Sequence, residues 1–332
     1  MKRIKLISIL LCAALLCALF PLRAQAASDK VEVAVITNVR RDVNVRAKAS
    51  ALSTLVGTAN KDTKYAILGT EGDFYKILYN GAPAYVHRDY VEKRSYSQAL
   101  TGDVNLRIAT FNVKALGNGA KLEQVAKAIR ESGAEVVGLQ EVDRHTSRSG
   151  KVDYAKKLAE AAGYPYYYFS KAIDLGGGEY GTLILSKQPI IHAETFKLTS
   201  TGENRVMGYV QLLTNKGLVH FFNVHMPNGS ASLKVSTLRT MESKIKSTGA
   251  KNYIVTGDFN ASADWLEKNL KIDVRLANKE HATFGTGSNT KIIDNILYSK
   301  GISPSKLGRI ETLMNKVSDH NLISVRVKIP KG

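Results

Sequence analysis

The chain has 332 residues, 44% apolar and 23% charged, with a formal net charge of +18. That length accommodates one large and one small domain. The basic excess favours polyanionic partners, namely nucleic acid, anionic lipid headgroups or wall polymers. Both cysteines, Cys12 and Cys17, lie in the first 26 residues, which excludes a disulfide scaffold for residues 27–332. The start Met1-Lys2-Arg3-Ile4-Lys5 is basic, Leu6 to Phe20 is apolar, and Ala24-Gln25-Ala26 is a small-x-small cleavage site. Together they predict a cleaved export signal over residues 1–26. The apolar run is too short for a bilayer span, and neither cysteine follows the small residue that a lipoprotein site needs. No later segment is apolar enough to cross a membrane. Removing the signal leaves +14, of which residues 27–95 carry +3 and residues 96–332 carry +11.

Short alternating segments come next. Val43-Asn44-Val45-Arg46, Lys64 to Leu68, Phe74 to Tyr79 and Ala84-Tyr85-Val86 are punctuated by Gly69 and by the Asn80-Gly81 turn. This period-two pattern predicts a small β-barrel. The stretch "VNVRAKAS…LVGTANKDTKYAILGTEGDFYKILYNGAPAYVHRDYV" resembles a bacterial SH3 domain, a module that tethers exported enzymes to cell wall. Ala82-Pro83-Ala84 departs from the resembling pattern, where an aromatic binding residue is common. The module is assigned to residues 27–93 and a polar linker to 94–103. As a separable unit, it is expected to leave turnover of soluble substrates intact when deleted.

The remainder, 104–332, alternates strands and helices. Leu106–Val113, Val136–Leu139, Thr182–Leu185, Val206–Leu213, Leu218–Val224, Tyr253–Thr256, Ile292–Tyr298 and Leu322–Val327 read as strands. Helices are predicted from Leu122 to Gly133, from Asp153 to Gly163 and over Leu233–Ile245. The series predicts two packed sheets with helices outside. Gly176-Gly177-Gly178 is read as a turn, the aromatic run Tyr164–Phe169 as largely core, and Trp265 as the anchor of a short helix. The polar, basic loop Asp143–Gly150 is read either as a solvated loop or as a contact to phosphates.

Polar residues cluster at predicted strand ends: Asn112, Gln140-Glu141, His225, Asp258 with Asn260, Asp294, and Asp319-His320. Apolar strands ending in carboxylates, amides and imidazoles are costly unless those groups meet a metal, a substrate or one another.

The ordered motifs "TFNV", "LQEVD", "GEYGTLILSK", "NVHMPNG", "TGDFNA", "IIDNILYS" and "SDHNLI" resemble the endonuclease/exonuclease/phosphatase superfamily. That resemblance implies an α+β, four-layer α/β/β/α sandwich like that of deoxyribonuclease I, and Mg²⁺-dependent phosphate-ester hydrolysis, with Mn²⁺ as a substitute. Position by position, it implies Glu141 as principal metal ligand, supported by Asn112 and Asp319. It implies His225 as the group that protonates the leaving oxygen or holds a phosphate oxygen, and Asp258 and Asn260 as the groups that position phosphate and water. Asp294 would orient His320, the general base, and Tyr180 would contact phosphate. A histidine at position 225 favours branches resembling deoxyribonuclease I, sphingomyelinases and inositol-polyphosphate phosphatases over abasic-site endonucleases. The expected protein is a monomeric, secreted or wall-associated hydrolase acting on nucleic acid. A phospholipid-headgroup ester is the alternative substrate, and an inactive wall-binding protein the remote one.

Overall fold

The computed structural model describes residues 29–285, 288–304, 311–313 and 317–331, so the export signal lies outside the described residues. The first unit contains β1 (Lys30–Ile36), β2 (Asp42–Arg46), β3 (Leu55–Asn60), β4 (Lys64–Glu71), β5 (Phe74–Tyr79), β6 (Ala82–His87) and β7 (Val91–Ser97). They pair in the order β3-β2-β6-β5-β4-β1-β7 around Ile36, Val45, Ile77 and Val86, which are wholly buried. Asn80 and Gly81, both at positive φ, make the two-residue turn between β5 and β6.

The linker assignment needs correction at its start. Arg94–Ser97 belong to β7 and pair with β1 from Arg94↔Val33 to Ser97↔Lys30. Their polar side chains read as loop, but backbone pairing to β1 decides the conformation. Beyond them the chain is pinned to the second unit, since Leu218 N–H donates to Gln98 O at 3.1 Å and Thr101 N–H to Lys216 O at 2.6 Å.

The second unit contains β8 (Val104–Asn112), α1 (Leu122–Ser132), β9 (Val136–Arg144), α2 (Tyr154–Ala162), β10 (Tyr166–Leu175), β11 (Gly178–Ser186), β12 (Ile190–Leu198), β13 (Arg205–Thr214), β14 (Gly217–His225), α3 (Ala231–Ser247), β15 (Tyr253–Asp258), α4 (Ala263–Asn269), β16 (Val274–Leu276), β17 (Asp294–Ser299), β18 (Ser303–Pro304), β19 (Glu311–Leu313) and β20 (Leu322–Ile329). One sheet runs β10-β11-β9-β8-β20-β18, with β19 beside β20, and the other runs β12-β13-β14-β15-β17-β16. The pairs β8/β9 and β14/β15 are parallel; the other pairs are antiparallel. Strands β10 and β12 are additions to the sequence expectation. The tyrosines of β10 occupy both faces, which hides the alternation.

Three buried layers separate four layers of structure. Phe111, Leu139 and Leu183 of the first sheet pack with Val125, Ile129 and Leu158 of α1 and α2. Ile108, Val136, Phe221, Ile254 and Ile296 fill the space between the sheets. Phe222, Val255 and Leu297 of the second sheet pack with Leu238, Met241 and Leu266 of α3 and α4. Helix ends obey local chemistry. Asp153 and Ser230 cap α2 and α3 by accepting from Lys156 N–H and Leu233 N–H, and Gly133 and Gly163 close α1 and α2 in the left-handed conformation.

The barrel is docked on the second unit rather than tethered to it. Val33, Val35 and Ala66 pack with Ile191, Leu213 and Leu218. Lys64 N–H donates to the Tyr166 hydroxyl at 2.8 Å, and the rings of Tyr65 and Tyr166 meet edge-on at 5.7 Å. Docking occurs at the beginnings of β10 and β14, the ends remote from Leu175 and His225. Deleting residues 29–97 should therefore destabilise the second unit by at least about 3 kcal/mol, since several large apolar side chains become exposed. Denaturant unfolding of the truncated and longer proteins measures this; equal midpoints would show that the docking contributes nothing.

His220 generates a second prediction. Burial, with the neighbouring charge of His192 second, lowers its pKa to about 4, while Tyr209 stacks on it and shares a hydrogen bond at 2.7 Å. The unfolded chain binds a proton near pH 6.5 and the folded chain does not, so stability is complete above that value and falls as pH drops toward the folded value. The loss should reach about 3 kcal/mol at pH near 4, and His220→Gln should flatten it. Urea midpoints measured across this range decide the point.

Candidate active site

The inner face of each central strand changes character along its length. In β8 the side chains facing the other sheet run Ile108, Thr110, Asn112, and in β9 they run Val136, Gly138, Gln140. In β14 they run Phe221, Asn223, His225, and in β15 Ile254, Thr256, Asp258. Register sets the polar residues side by side: Asn112 beside Gln140, His225 beside Asp258, and Asp258 beside Asp294. The apolar seam therefore ends in a polar floor at one end of the sandwich.

Asn112 joins the two sheets there. Its amide nitrogen donates to Glu141 Oε1 at 2.9 Å and to Asp258 Oδ2 at 3.1 Å. Its own oxygen accepts from Lys114 N–H at 3.1 Å, which fixes the amide's orientation. Glu141 lies at a bulge, where Gln140 and Glu141 together oppose Thr182, and takes a left-handed φ of +60°. Asn260 is also left-handed, with φ +48°. Asn260 N–H donates to Asp258 Oδ1 at 2.8 Å and its amide donates to Met226 O at 2.9 Å. Such conformations cost non-glycine residues about 1–2 kcal/mol each and cluster where a side chain must be aimed.

His320 sits between two carboxylates. Its Nδ1 lies 2.8 Å from Asp294 Oδ2 and its Nε2 3.8 Å from Asp258 Oδ2, with the Phe284 ring edge-on at 4.9 Å. Burial alone would lower the imidazole pKa, but the hydrogen bond and charge of Asp294, aided by Asp258 and Asp319, raise it overall. Burial also raises Asp258, as does the charge of Asp294, against the pull of His320. Ligand atoms of Asp258, Asp294 and His320 all lie within 4.8 Å of one another, a group able to hold a metal ion.

His225, with Nε2 3.6 Å from Asp258 Oδ2, receives a hydrogen bond from Arg205 Nη1 at its Nδ1, at 2.9 Å. A ring nitrogen that accepts from a guanidinium carries no proton. Burial first, then the charges of Arg205 and His320, keep this imidazole neutral. Glu203 balances Arg205 at 3.0 Å. Asp319 pairs with Lys114 at 2.6 Å, and Ser318 ties this segment to β8 by donating to Asn112 O at 2.7 Å.

All the sequence-predicted residues thus converge. Glu141, Tyr180, His225, Asp258, Asn260, Asp319 and His320 line one cleft of about 950 Å³, with Asn112 and Asp294 buried in its floor. Tyr180 is buried and carries Arg148 over its ring at 5.5 Å. In the basic loop, Arg148 grips buried Asp143 through Nε and Nη2, both at 2.7 Å, and also faces the cleft. Gly176 and Gly177 form the β10–β11 turn at positive φ. Sequence reasoning missed Arg205, Lys234 and Lys291, which also line the cleft. A basic residue at the start of β13, antiparallel to the strand that ends in His225, was the available signal for Arg205.

The profile of the endonuclease/exonuclease/phosphatase family matches residues 109–320, and that of a bacterial SH3 domain matches residues 41–92. The chain belongs to the endonuclease/exonuclease/phosphatase family, and with it to the phosphoric ester hydrolases. Among solved structures it is similar to the endonuclease/exonuclease/phosphatase from Bacteroides vulgatus, with 18% identity and a TM-score of 0.56 over 68% of this chain and 98% of that one. It is also similar to a mannosyl-6-phosphatase of Bacteroides thetaiotaomicron, with 17% identity and a TM-score of 0.53 over 67% and 99% of the two chains. A humanised D. rerio TDP2 aligns with 19% identity and a TM-score of 0.54 over 67% and 98%. A search of curated proteins finds no match. At these identities the likeness establishes the fold, the two-sheet sandwich described above.

Left-handed Glu141 generates a prediction that separates stability from function. Glu141→Gly should raise stability by about 1 kcal/mol while abolishing hydrolysis, because glycine adopts that φ without strain. Thermal unfolding beside an activity assay tests it. A variant that is both less stable and still active would show that neither strain nor function resides there.

Proposed function

We propose that this chain is an exported, Mg²⁺-dependent phosphodiesterase whose substrate is nucleic acid. The observation that supports the reading is the chain of contacts Asp294–His320–Asp258–Asn112–Glu141, which gathers an imidazole held by a carboxylate, a second carboxylate and an acidic candidate metal ligand about one cleft. The donor set suits a hard cation. Glu141 and Asp319 line a common recess with the Lys114 ammonium, so positive charge is already drawn there, and oxygen donors are what Mg²⁺ or Mn²⁺ takes. Glu141, with Asn112 and Asp319, would hold the ion, which when bound offsets charge on the phosphoryl oxygens.

The chain's own residues do the rest. Asp294 holds His320 by Nδ1 and leaves Nε2 toward the cleft; the carboxylates that raise this imidazole's pKa to about 9 make its neutral form, the one that takes the proton of an attacking water, grow as pH rises toward that value. Asp258 and Asn260, locked together by the Asn260 N–H bond, position that water and the phosphate. His225, kept neutral by burial and by Arg205, suits the holding of a phosphate oxygen better than the donation of a proton. Tyr180 faces the same space. With every expected position filled and assembled, an inactive wall-binding protein is the poorer reading.

Nucleic acid is favoured over lipid by the cleft's rim. Arg148, Arg205, Lys234 and Lys291 line it, whereas the large exposed apolar residues among the described ones, Leu52, Leu55, Val56, Leu68 and Tyr90, all lie on the barrel. The barrel's resemblance supports retention at a wall.

Purified mature protein should nick plasmid DNA or cleave RNA with Mg²⁺ and lose that activity in EDTA. Intact nucleic acid alongside release of a phospholipid headgroup would overturn the substrate. His320→Ala and Glu141→Gln should each lower turnover by at least about 100-fold. Near-native rates in either variant would contradict the assigned roles.

A further inference from the structure

The cations of the cleft are not equivalent. On the side built by β9, β11 and β13, Arg148 is committed to Asp143, and Arg205 to Glu203 and His225. Ile173, Leu175 and Tyr180 complete that wall, whose two arginines are already paired. The opposite wall differs. Lys234 of α3 and Lys291 both line the cleft, and neither forms an ion pair within 4.0 Å among the described residues. The Lys234 ammonium donates at 2.5 Å to the carbonyl of Asn260, the residue whose N–H closes on Asp258. Burial, with Lys291 close enough to add repulsion, lowers its pKa against the pull of Asp258. The Lys291 ammonium stands 6.0 Å from the centre of the Phe284 ring, whose edge meets His320. Trp265 of α4 completes the wall. It is half-buried, and it is the single tryptophan of the chain.

Lys291 is exposed and Lys234 half-buried, so both ammonium groups are open to an incoming anion. The scissile phosphate supplies one anionic group, at Asp258, Asn260 and His320. The lysines and the indole lie beyond it, on one side only.

We propose that Lys234, Lys291 and Trp265 form a nucleotide subsite adjoining the scissile phosphate, with the lysines holding the next phosphate and the indole stacking on a base. This rests on the nucleic-acid reading above. The substrate would therefore extend from the cleavage point mainly toward α3 and α4, and a base-bearing chain would be preferred over a bare polyphosphate.

Because Trp265 is the chain's one tryptophan, intrinsic emission excited beyond tyrosine absorption reports on this wall alone. The mature protein in EDTA, which prevents cleavage, is titrated with a short single-stranded oligodeoxynucleotide and with an abasic sugar-phosphate chain of equal length. The oligodeoxynucleotide should quench the emission and the abasic chain should not. Lys291→Ala should reduce the slope of log affinity against log salt by about 0.7 to 1, while Lys187→Ala, at the far end of β11, should leave it unchanged. Trp265→Leu, assayed by anisotropy of a labelled oligodeoxynucleotide, should bind about tenfold more weakly. Equal quenching by both chains, an unaltered slope in Lys291→Ala, or undiminished binding in Trp265→Leu overturns the subsite. If plasmid is nevertheless cleaved with Mg²⁺, the nuclease reading survives that loss. Absence of both binding and cleavage removes both.

Discussion

Asn223 is wholly buried between the sheets, and every hydrogen-bonding group of its amide is engaged. Its nitrogen donates to Leu139 O at 2.8 Å and Leu183 O at 3.1 Å, both on the first sheet. Its oxygen accepts from Gln140 at 2.7 Å and from Thr256 at 3.2 Å. Gln140 also donates to Thr110 at 3.1 Å. A buried amide left unpaired costs about 1–3 kcal/mol, so the seam tolerates little relative sliding of the sheets. Gly138 makes it geometrically feasible: a Cβ there would lie 2.0 Å from Thr256 Oγ1 and 2.5 Å from Asn223 Oδ1. The close approach that this glycine permits brings the ends of β8 and β15 near enough for Asn112 to reach Asp258.

The polar floor of the cleft continues that seam by one more pleat. Asn112, Gln140, His225 and Asp258 come after Thr110, Gly138, Asn223 and Thr256 at two-residue spacing, so the same face of each strand supplies first the inter-sheet lock and then the chemistry. Burial makes the electrostatics strong there. Asp258 and Asp294 are opposite partners on neighbouring strands, and His320 between them is what makes their proximity tolerable. The left-handed residues Glu141 and Asn260 add strain beside this charge. The rigid seam one pleat away holds both in place, in keeping with strain tolerated where surrounding structure over-determines it.

The same strands explain where the barrel sits. β10 and β14 each present one end to the cleft, through Leu175 and His225, and the other to the barrel, through Tyr166 and Leu218. At about 3.3 Å per residue these ends are more than about 20 Å apart. The SH3-like unit therefore occupies the pole opposite the cleft and leaves its mouth free. Apolar docking and the pinned connection at Gln98 and Thr101 give the two units a defined relation, which a polar linker would not.

Much of this was legible in the residues themselves. Period-two alternation located most central strands, Gly133 and Gly163 marked helix ends, and the polar strand termini named every residue now found in the cleft's catalytic floor. These features are local, because hydrogen-bonding periodicity and the cost of burying a polar group act within a few residues. Strands β10 and β12 escaped because their exposed-looking faces are covered by the other sheet or by the barrel. Arg94–Ser97 escaped because pairing with β1 lies in no side chain. Arg205, Lys234 and Lys291 escaped because a surface cation acquires meaning only from what it does or does not neutralise. The sequence by itself determined which strand ends bear the carboxylates, amides and imidazoles that line the cleft. Only the tertiary structure decided that both sets of strand ends meet at one pole, that the barrel closes the other, and that Lys234 and Lys291 stand on one wall of the cleft. Those outcomes depend on the stacking of two sheets, which no segment specifies alone.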